Sequence, residues 1–351
     1  MKFSIHTFQL HTIITMPQLK ELCLELSVYG RPKVNRKPSY SYFSFPPVAQ
    51  KSIWICAAAV FSELTRGCVC VHLNVIMNPR RALGLQHNAA AEIIDRNKLG
   101  DALYVLYSNL YELLPPAIIE SLQLSRVDFT GDIRFPTQEQ AEEYVNLFKK
   151  GHTARTLRES KVYDPTTNQD VSYEESWLLG CGSYSFQVYP KMLQMQKRRI
   201  PSAEAAKGIV RFELRANRTK LKALMKKHSV PAEATVADAL VMLAQTVPET
   251  EIKKIAKAAV GSGDFYTLDR LKKIIDGTTY QKRVRDDMIQ LSEHLSRYSG
   301  VERLLEEKLI TSEEWRRQLQ RFDTLGVSPI PVPARSCFRT APGVGLWDEY
   351  Q

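Results

Sequence analysis

The sequence predicts an α+β protein in which a palm-like, mainly antiparallel sheet, with helices on one face, precedes an all-helical domain. Two observations lead to this prediction. Segments with alternating polar and apolar residues recur between residues 71 and 216, and only helical patterns follow until about residue 328. Alternation of this kind is typical of an antiparallel sheet that packs on helices through one face.

The elements follow in order along the chain. Alternation predicts strands near residues 71–75, 124–135, 174–180, 183–191 and 207–216. Apolar residues at helical spacing predict a helix over 99–110, and a second helix begins after Thr137 and ends before Gly151. Thr137 and Gln140 fit a capping box at the start of that second helix. Further helices are predicted near 218–228, 235–247, 250–259, 267–276, 280–298, 301–309 and 312–324.

The 351 residues are enough for two domains. We predict a poorly defined N-terminal segment over residues 1–66, a palm-like domain over 67–217, a helical domain over 218–328 and an irregular, Pro-rich tail over 329–351. Residues 31–47 mix basic and aromatic side chains, a composition that suits either the stacking of nucleic-acid bases or a Pro-rich extended loop.

Positive charge is concentrated in one segment. The chain has a formal net charge of +10, and residues 191–227 alone contain twelve Lys or Arg against two Glu. A clustered excess favours a phosphate-bearing partner, since each neutralised phosphate releases counterions. The alternative interpretation is a solvated basic helix face.

The cysteine content argues against a disulfide scaffold. The six cysteines have the spacing of neither a zinc site nor a disulfide framework, which predicts reduced thiols in a cytoplasmic protein. No apolar run reaches the ~18 residues that a transmembrane helix needs, so no membrane partner is expected.

Polar side chains share one face of the predicted strands. They are His72, Asn74, Asp128, Asp132, Tyr189, Lys191, Arg211, Glu213 and Arg215. Such a set supports phosphodiester transfer, in which a tyrosine is the nucleophile and a nearby cation lowers the cost of its phenolate. Carboxylates in the set would hold Mg²⁺ or Mn²⁺, which polarises the phosphate. A solvated sheet face would produce the same alternation.

Four segments of the chain resemble those of a known family, in the same order and at similar spacing. They are Asn78–Gly84 with Asn88 after it, Ser125–Asp128, Val188–Lys191 and Gly208–Glu213. The helices after Tyr280 and the segment Trp347–Tyr350 also follow the order found in that family. The family is that of the gene II replication initiators of filamentous phages. The resemblance extends over about residues 74–350.

The resemblance implies a rolling-circle replication initiator that nicks one DNA strand, forms a 5′-phosphotyrosine link and rejoins the ends. It implies that Tyr189 is the nucleophile and that Lys191 is its neighbour. It also implies that Asp128 and Glu213 are acids of the same site, which lies in the predicted palm-like domain, residues 67–217. With His72 these acids are the candidate ligands for Mg²⁺ or Mn²⁺. The candidate DNA-binding residues are Arg126, Arg198, Arg199, Arg211, Arg215 and Lys220.

The expected setting is the cytoplasm of a bacterial host, with a phage or plasmid origin as single-stranded or supercoiled substrate. A host helicase and a host polymerase are expected partners. The chain lacks a Gly-rich phosphate loop with Lys-Ser/Thr, so unwinding must come from a partner. The chain also departs from the family pattern. Asn74 stands where a glutamate is expected, so His72-Leu73-Asn74 is an incomplete metal motif, and Pro190 separates Tyr189 from Lys191.

Two other functions fit parts of the sequence. The chain could be a DNA-binding protein without catalysis, in which residues 267–275 and 283–298 form a helix-turn-helix-like pair. Such a protein has no need for Asp128 and Glu213, because carboxylates repel phosphate unless a cation intervenes. The third function, an RNA-binding or polymerase-like palm, gives Tyr189 and Lys191 no role.

Overall fold

The computed structural model describes residues 1–37, 39–45, 53–62, 67–84, 93–153, 157–164, 169–172, 175–298 and 300–349. It confirms the α+β class, with a ten-stranded antiparallel sheet, helices and a helical C-terminal region. The strands are β1 (Lys2–Ile14), β2 (Lys33–Lys37), β3 (Tyr40–Ser44), β4 (Ile53–Phe61), β5 (Cys68–Met77), β6 (Gln123–Arg134), β7 (Arg158–Glu159), β8 (Lys161–Asp164), β9 (Gln169–Ser172), β10 (Trp177–Gly180), β11 (Tyr184–Pro190), β12 (Ile209–Asn217), β13 (Phe265–Tyr266) and β14 (Thr340–Ala341).

The helices surround these strands in sequence. They are α1 (Met16–Glu25), α2 (Pro79–Ala82), α3 (Leu99–Tyr111), α4 (Pro116–Ser121), α5 (Gln138–Lys149), α6 (Lys191–Lys197), α7 (Arg218–Lys227), α8 (Val236–Val260), α9 (Leu268–Asp276), α10 (Lys282–Arg297), α11 (Val301–Glu306) and α12 (Ser312–Thr324). Short 3₁₀ turns cover Leu26–Tyr29, Arg96–Lys98, Ala203–Ala206 and Val344–Glu349. Within the described parts of the chain, no helix has both the length and the apolar character needed to cross a membrane.

The strand order of the large sheet is β2-β3-β4-β5-β1-β6-β12-β11-β10-β7, and β8–β9 and β13–β14 form two small ribbons. β1 thus lies in the middle of the large sheet, between β5 and β6. The described part of residues 1–66 therefore contains four strands and a helix, where the sequence indicated only a poorly defined segment. Burial alternates to the end of β1, but the alternation of polar and apolar residues does not. The polar Thr12 is buried, and the apolar Ile13 is 60% exposed.

One long helix replaces two predicted ones. α8 runs without interruption through Pro248, although the sequence predicts separate helices over 235–247 and 250–259. A proline inside a helix removes one backbone hydrogen bond and crowds the preceding turn, but it does not always end the helix. The break expected at this proline is therefore absent.

The chain divides into two compact units, and their limits differ from the predicted domain boundaries. The N-terminal unit comprises residues 3–129 and 215–248, and the C-terminal unit comprises residues 1–2, 130–214 and 249–351. Helices α9–α12 therefore belong to the same unit as strands β7–β11, rather than to a separate helical domain.

In the C-terminal unit, aromatic side chains form much of the core. Phe212 packs against Trp347 with ring centroids 4.6 Å apart, and Trp347 Nε1 donates a 2.8 Å hydrogen bond to the Tyr144 hydroxyl. That hydroxyl donates in turn to the Pro342 carbonyl oxygen. The C-terminal tail contains β14 and a 3₁₀ turn, and it contributes buried residues to this core.

In the N-terminal unit, β1 and β5 pair in a register that places one apolar face inside. Leu10 lies opposite Val75 and Thr12 lies opposite Leu73, and all four side chains are buried. The alternate residues Gln9, His11, His72 and Asn74 are half-exposed. This half-exposed face carries His72 and Asn74, the two polar residues predicted for β5.

Candidate active site

Tyr189 lies near the end of β11, which alternates as predicted. Phe186 and Val188 are fully buried in the core. The Tyr189 side chain is only 2% exposed, and its hydroxyl donates a 2.6 Å hydrogen bond to Glu213 Oε1 on β12. Burial and the charge of Glu213 raise the pKa of Tyr189 well above its ordinary value of 10. The phenol is therefore neutral at pH 7 and has a proton acceptor in direct contact.

Lys191 begins helix α6 and does not extend the strand, which is a correction to the predicted strand over 183–191. Pro190 has φ of −71° and immediately precedes the first residue of α6. Proline is well tolerated at the start of a helix, because its ring fixes φ near this value and its missing N–H has no partner there. Lys191 is buried, and its Nζ donates a 2.7 Å hydrogen bond to Gln194 Oε1. Burial and the charge of Arg211 lower the pKa of Lys191 to about 7.

Arg211 and Asp132 form a buried ion pair on the neighbouring strands β12 and β6. Arg211 Nε and Nη2 contact the two carboxylate oxygens of Asp132 at 2.7 and 2.6 Å. The Arg211 side chain is fully buried. Sequence analysis predicted Arg211 as a DNA-binding residue, and its guanidinium is enclosed in the core and held by Asp132. We therefore assign it to holding Asp132 beside the Tyr189–Glu213 pair.

A pocket of about 180 Å³ adjoins Tyr189. It is lined by Glu175, Ser176, Gln187, Tyr189, Pro190, Gln194, Lys197 and Arg198. Lys197 and Arg198 are exposed at the end of α6, and Lys197 Nζ lies 2.7 Å from Glu175 Oε2. The pocket thus offers cations and amides next to the tyrosine that the sequence singled out.

The remaining predicted DNA-binding residues differ in accessibility. Arg198 and Arg199 are exposed after α6, and Lys220 is half-buried on α7. Arg199 has a positive φ of 52°, an uncommon backbone conformation for a residue other than glycine. Their positions are compatible with contact to a phosphate backbone.

Asp128 belongs to the N-terminal unit, where it is buried and fully paired. Its carboxylate accepts hydrogen bonds from the Thr7 hydroxyl at 2.6 Å and from Arg215 Nε at 3.0 Å. Arg215 Nη2 lies 3.3 Å from the second oxygen, and Arg126 Nε lies 3.2 Å from the first. Burial lowers the pKa of Arg126, and the charge of Asp128 opposes this effect. Two predicted DNA-binding arginines therefore bind this acid.

His72 also has partners on its own sheet. Its Nδ1 lies 3.0 Å from His11 Nε2, and its Nε2 lies 3.4 Å from the Cys70 thiol. Next to this pair, Gln9 Nε2 donates a 2.8 Å hydrogen bond to Asn74 Oδ1. Burial and the neighbouring His72 lower the pKa of His11.

In this arrangement each of the predicted metal ligands contacts other protein groups. Both oxygens of Asp128 face arginine nitrogens, Glu213 accepts the Tyr189 hydroxyl, and both ring nitrogens of His72 have neighbours. Across the residues that the structure describes, one group of three His, Cys, Asp or Glu has its ligand atoms within 4.8 Å of one another. It consists of Glu139, Glu143 and Cys337, and it contains none of the predicted ligands.

Sequence reasoning missed several partners of the predicted residues. Thr7, Gln9 and His11 come from β1, in the segment that the sequence left undefined. Gln194 follows Lys191 by three residues, which is a spacing that brings side chains together on a helix. That spacing was available as a signal, but only once a helix was recognised after Pro190.

The segments that carry the family resemblance are partly described. Asn78 caps α2 by accepting a hydrogen bond from the Arg81 amide, and Arg80 is buried. Gly208 precedes β12 with φ of +75°, and a Cβ at this residue would lie 2.1 Å from the Phe135 carbonyl oxygen, so only glycine fits there. Asn88 and Tyr350 lie outside the described residues.

Comparisons with known proteins give weak similarities. No protein-family model matches the sequence, and no curated protein matches it. The chain is similar to a rolling circle replication initiator protein from Geobacillus stearothermophilus, with 12% identity over 74% of this chain and 85% of that chain and a TM-score of 0.35. It is also similar to the di-domain ARO/CYC StfQ from the steffimycin biosynthetic pathway, with 11% identity over 71% and 97% of the two chains and a TM-score of 0.21. TM-scores this low do not establish a shared fold, so the family assignment stays a prediction from the sequence motifs.

Proposed function

We propose that this chain is a DNA nickase and strand-transfer enzyme, in which Tyr189 attacks a backbone phosphate of single-stranded DNA. The observation that carries the proposal is the 2.6 Å hydrogen bond from the Tyr189 hydroxyl to Glu213. A tyrosine with a pKa above 10 is a poor nucleophile unless a base removes its proton during attack. Glu213 is in contact with that proton.

The proposed step conserves atoms and charge. The Tyr189 oxygen forms a bond to phosphorus, and its proton passes to Glu213. The bond from phosphorus to the 3′ oxygen breaks, and that oxygen takes a proton from the Lys191 ammonium. The products are a 5′-phosphotyrosine and a free 3′ hydroxyl, and the reverse sequence rejoins the strand. A lysine with a pKa of about 7 suits the role of the acid.

Electrostatics support phosphate binding near this tyrosine. Lys197 and Arg198 line the pocket beside it, and they belong to the basic segment 191–227. Cations that neutralise a phosphate during transfer lower the barrier, because charge accumulates on its oxygens. The step uses neither Mg²⁺ nor Mn²⁺, since the acids predicted as metal ligands are held by protein partners.

The proposed biological role is the initiation of rolling-circle replication at a phage or plasmid origin in the bacterial cytoplasm. The four sequence motifs and the nicking chemistry support it. The covalent link would hold the 5′ end while a host helicase and a host polymerase extend the free 3′ end.

A gel for covalent protein–DNA adducts tests the proposal. The protein is incubated with single-stranded DNA from its own replicon's origin, with and without divalent metal, and then denatured in SDS. We expect a shifted band in the wild type and in Tyr184→Phe, which alters a tyrosine on the same strand, but not in Tyr189→Phe. Absence of any adduct, or an equal adduct in Tyr189→Phe, would reject the assignment.

The burial of Tyr189 favours a second candidate function, which is DNA binding without cleavage. A tyrosine that is 2% exposed and hydrogen-bonded in the core also fits a purely structural role, in which it holds β11 against β12. In that case the wild type binds origin DNA, the DNA stays intact, and Tyr189→Phe lowers the free energy of unfolding without changing the affinity for DNA.

A further inference from the structure

The first five strands of the chain, β1–β5, contain cations and aromatic residues but no carboxylates. Not one Asp or Glu occurs in β1, β2, β3, β4 or β5. β2 is exposed along its whole length, and its register with β3 places Lys33 and Lys37 on the face that carries Tyr40 and Tyr42. A surface of this composition attracts a polyanion and offers no charge that would repel it.

One row of paired residues on the half-exposed face of these strands contains two aromatic rings. The register places Tyr42 on β3 opposite Ala58 on β4, and Ala58 opposite His72 on β5. Directly paired residues point to the same face, so the small Ala58 leaves a shallow space between the phenol and the imidazole. Tyr42 is 37% exposed, and His72 stacks on His11 with ring centroids 5.3 Å apart.

Two further aromatic rings on these strands have cations beside them. The Arg81 guanidinium lies 5.1 Å from the ring centroid of Trp54, and Lys37 Nζ lies 5.6 Å from that of Tyr40. Trp54 is half-buried and Arg81 is exposed. An aromatic ring with a neighbouring cation can stack a base and bind the adjoining phosphate at the same time.

From this arrangement we infer that the half-exposed face of β3, β4 and β5 binds single-stranded DNA, with bases stacked on Tyr42 and Trp54 and phosphates held by Arg81 and the basic β2–β3 hairpin. The choice of DNA over RNA rests on the proposed function. Single strands are specified because duplex bases are stacked on one another and expose no ring faces. Stacking tolerates any base, so the surface would bind the strand without reading its sequence.

The tryptophans of the chain make this surface directly observable. Of the four, Trp177 and Trp315 are 1% exposed and Trp347 is 0% exposed, which leaves Trp54 as the accessible fluorophore. A base that stacks on Trp54 would quench its fluorescence, whereas a phosphate bound elsewhere would not.

The test is a fluorescence titration of the full-length protein with a 15-mer of deoxythymidylate, which lacks any origin sequence. We expect saturable quenching in the wild type, loss of the quenching in Trp54→Phe, and affinity weakened about tenfold in Tyr42→Ala by fluorescence anisotropy. Tyr104→Ala is the matched control, because this tyrosine on α3 is 77% exposed and lies on a helix outside the sheet. Its affinity is expected to stay within about twofold of the wild type.

Arg81→Ala is a second test, for use if a variant in the sheet fails to fold. The Arg81 side chain is exposed, so its removal should leave the fold intact. It is expected to reduce the slope of log affinity against log salt concentration by about one, which corresponds to one lost phosphate contact. Equal affinity for duplex DNA, tighter binding of the matched uridylate 15-mer, or wild-type affinity in both Tyr42→Ala and Arg81→Ala would overturn the inference.

The outcome is separable from that of the nicking proposal. Quenching that persists in Tyr189→Phe, together with no adduct in any variant, rejects the nicking step alone. Wild-type affinity for the thymidylate 15-mer in both Tyr42→Ala and Arg81→Ala, together with an adduct that is lost in Tyr189→Phe, rejects the stacking surface alone.

Discussion

The Tyr189 hydroxyl donates its hydrogen bond to Glu213 from the neighbouring strand, at 2.6 Å, in a place that water scarcely reaches. Two features of this pair act in opposite directions. Burial and the carboxylate charge hold the proton on the phenol at rest, while the same carboxylate is placed to accept the proton when a phosphate draws on the oxygen. The proposed chemistry depends on this second property.

Replacing Glu213 by Gln separates the two properties. The amide oxygen still accepts the hydrogen bond, but it cannot take the proton, so the rate of adduct formation should fall by about 10²–10⁴-fold. Single-turnover kinetics on origin DNA measure this rate. Glu175→Gln is the control, because Glu175 borders the same pocket and its carboxylate pairs with Lys197, whereas the hydroxyl donates to Glu213. A Glu213→Gln protein that forms adducts as fast as the wild type would exclude Glu213 as the base.

Lys191 should make the stability of the protein depend on pH. Its pKa is lowered from 10.5 to about 7 by burial, so between these values the unfolded chain binds more protons than the folded protein. The free energy of unfolding therefore rises as the pH increases from 7 towards 10.5, and this contribution is lost as the pH falls back through 7. Urea unfolding at pH 7 and pH 9 should show a rise in the wild type that is smaller in Lys191→Met. An identical rise in that variant would contradict the lowered pKa, and Lys207→Met, at an exposed lysine, is the control.

The Asp132–Arg211 pair should be among the most sensitive positions in the C-terminal unit. Arg211→Met leaves the Asp132 carboxylate without its bidentate partner, which costs about 3–5 kcal/mol for a buried pair. Lys197→Met removes a pair whose lysine side chain is 65% exposed, and such pairs contribute about 0–1 kcal/mol. Denaturant unfolding of both variants gives the comparison. Similar losses in the two would mean that Arg211 is not held in the core as described.

The response to Mn²⁺ examines the predicted metal dependence. A divalent cation at Asp128 must displace arginine nitrogens, of which those of Arg215 are the more exposed. We therefore expect that Mn²⁺ leaves the Tm of the wild type unchanged and raises that of Arg215→Gln, in which Asp128 is less fully paired. Calorimetry with and without EDTA measures both shifts. Stabilisation of the wild type by Mn²⁺ that is lost in Asp128→Asn would restore Asp128 as a metal ligand.

Local chemistry made part of the fold predictable. The capping box of Thr137 and Gln140 is confirmed at the start of α5, because both of its hydrogen bonds are made within four residues. The alternation in β5 is confirmed because this strand buries one face, and in β6, β11 and β12 the apolar residues of the alternation are buried. Such signals need no knowledge of distant parts of the chain.

Other parts of the fold depend on distant contacts. β4 contains Ala57, Ala58 and Ala59, which have low strand propensity and are placed by pairing with β3 and β5. Thr12 is accepted in a buried position because its hydroxyl lies 2.9 Å from that of Ser121, more than 100 residues away. Neither pairing can be derived from the residues next to it in sequence.

The candidate site shows the same division. The sequence placed Tyr189, Asp132, Arg211 and Glu213 on polar strand faces, but it could not say which would pair. The pairing follows from the strand order β6-β12-β11, which brings Arg211 beside Asp132 and Glu213 beside Tyr189. Alternation along a strand contains no information on its neighbours.

The identity of the residue that becomes attached to DNA is the most direct test of the proposed nicking function. After reaction with origin DNA and nuclease digestion, trypsin would release residues 162–191 as one peptide containing Tyr163, Tyr173, Tyr184 and Tyr189. Fragmentation of this peptide in a mass spectrometer locates the nucleotide remnant. The account predicts a nucleoside phosphate on Tyr189, and a modification at any other tyrosine, or an unmodified peptide from DNA that has been nicked, would contradict it.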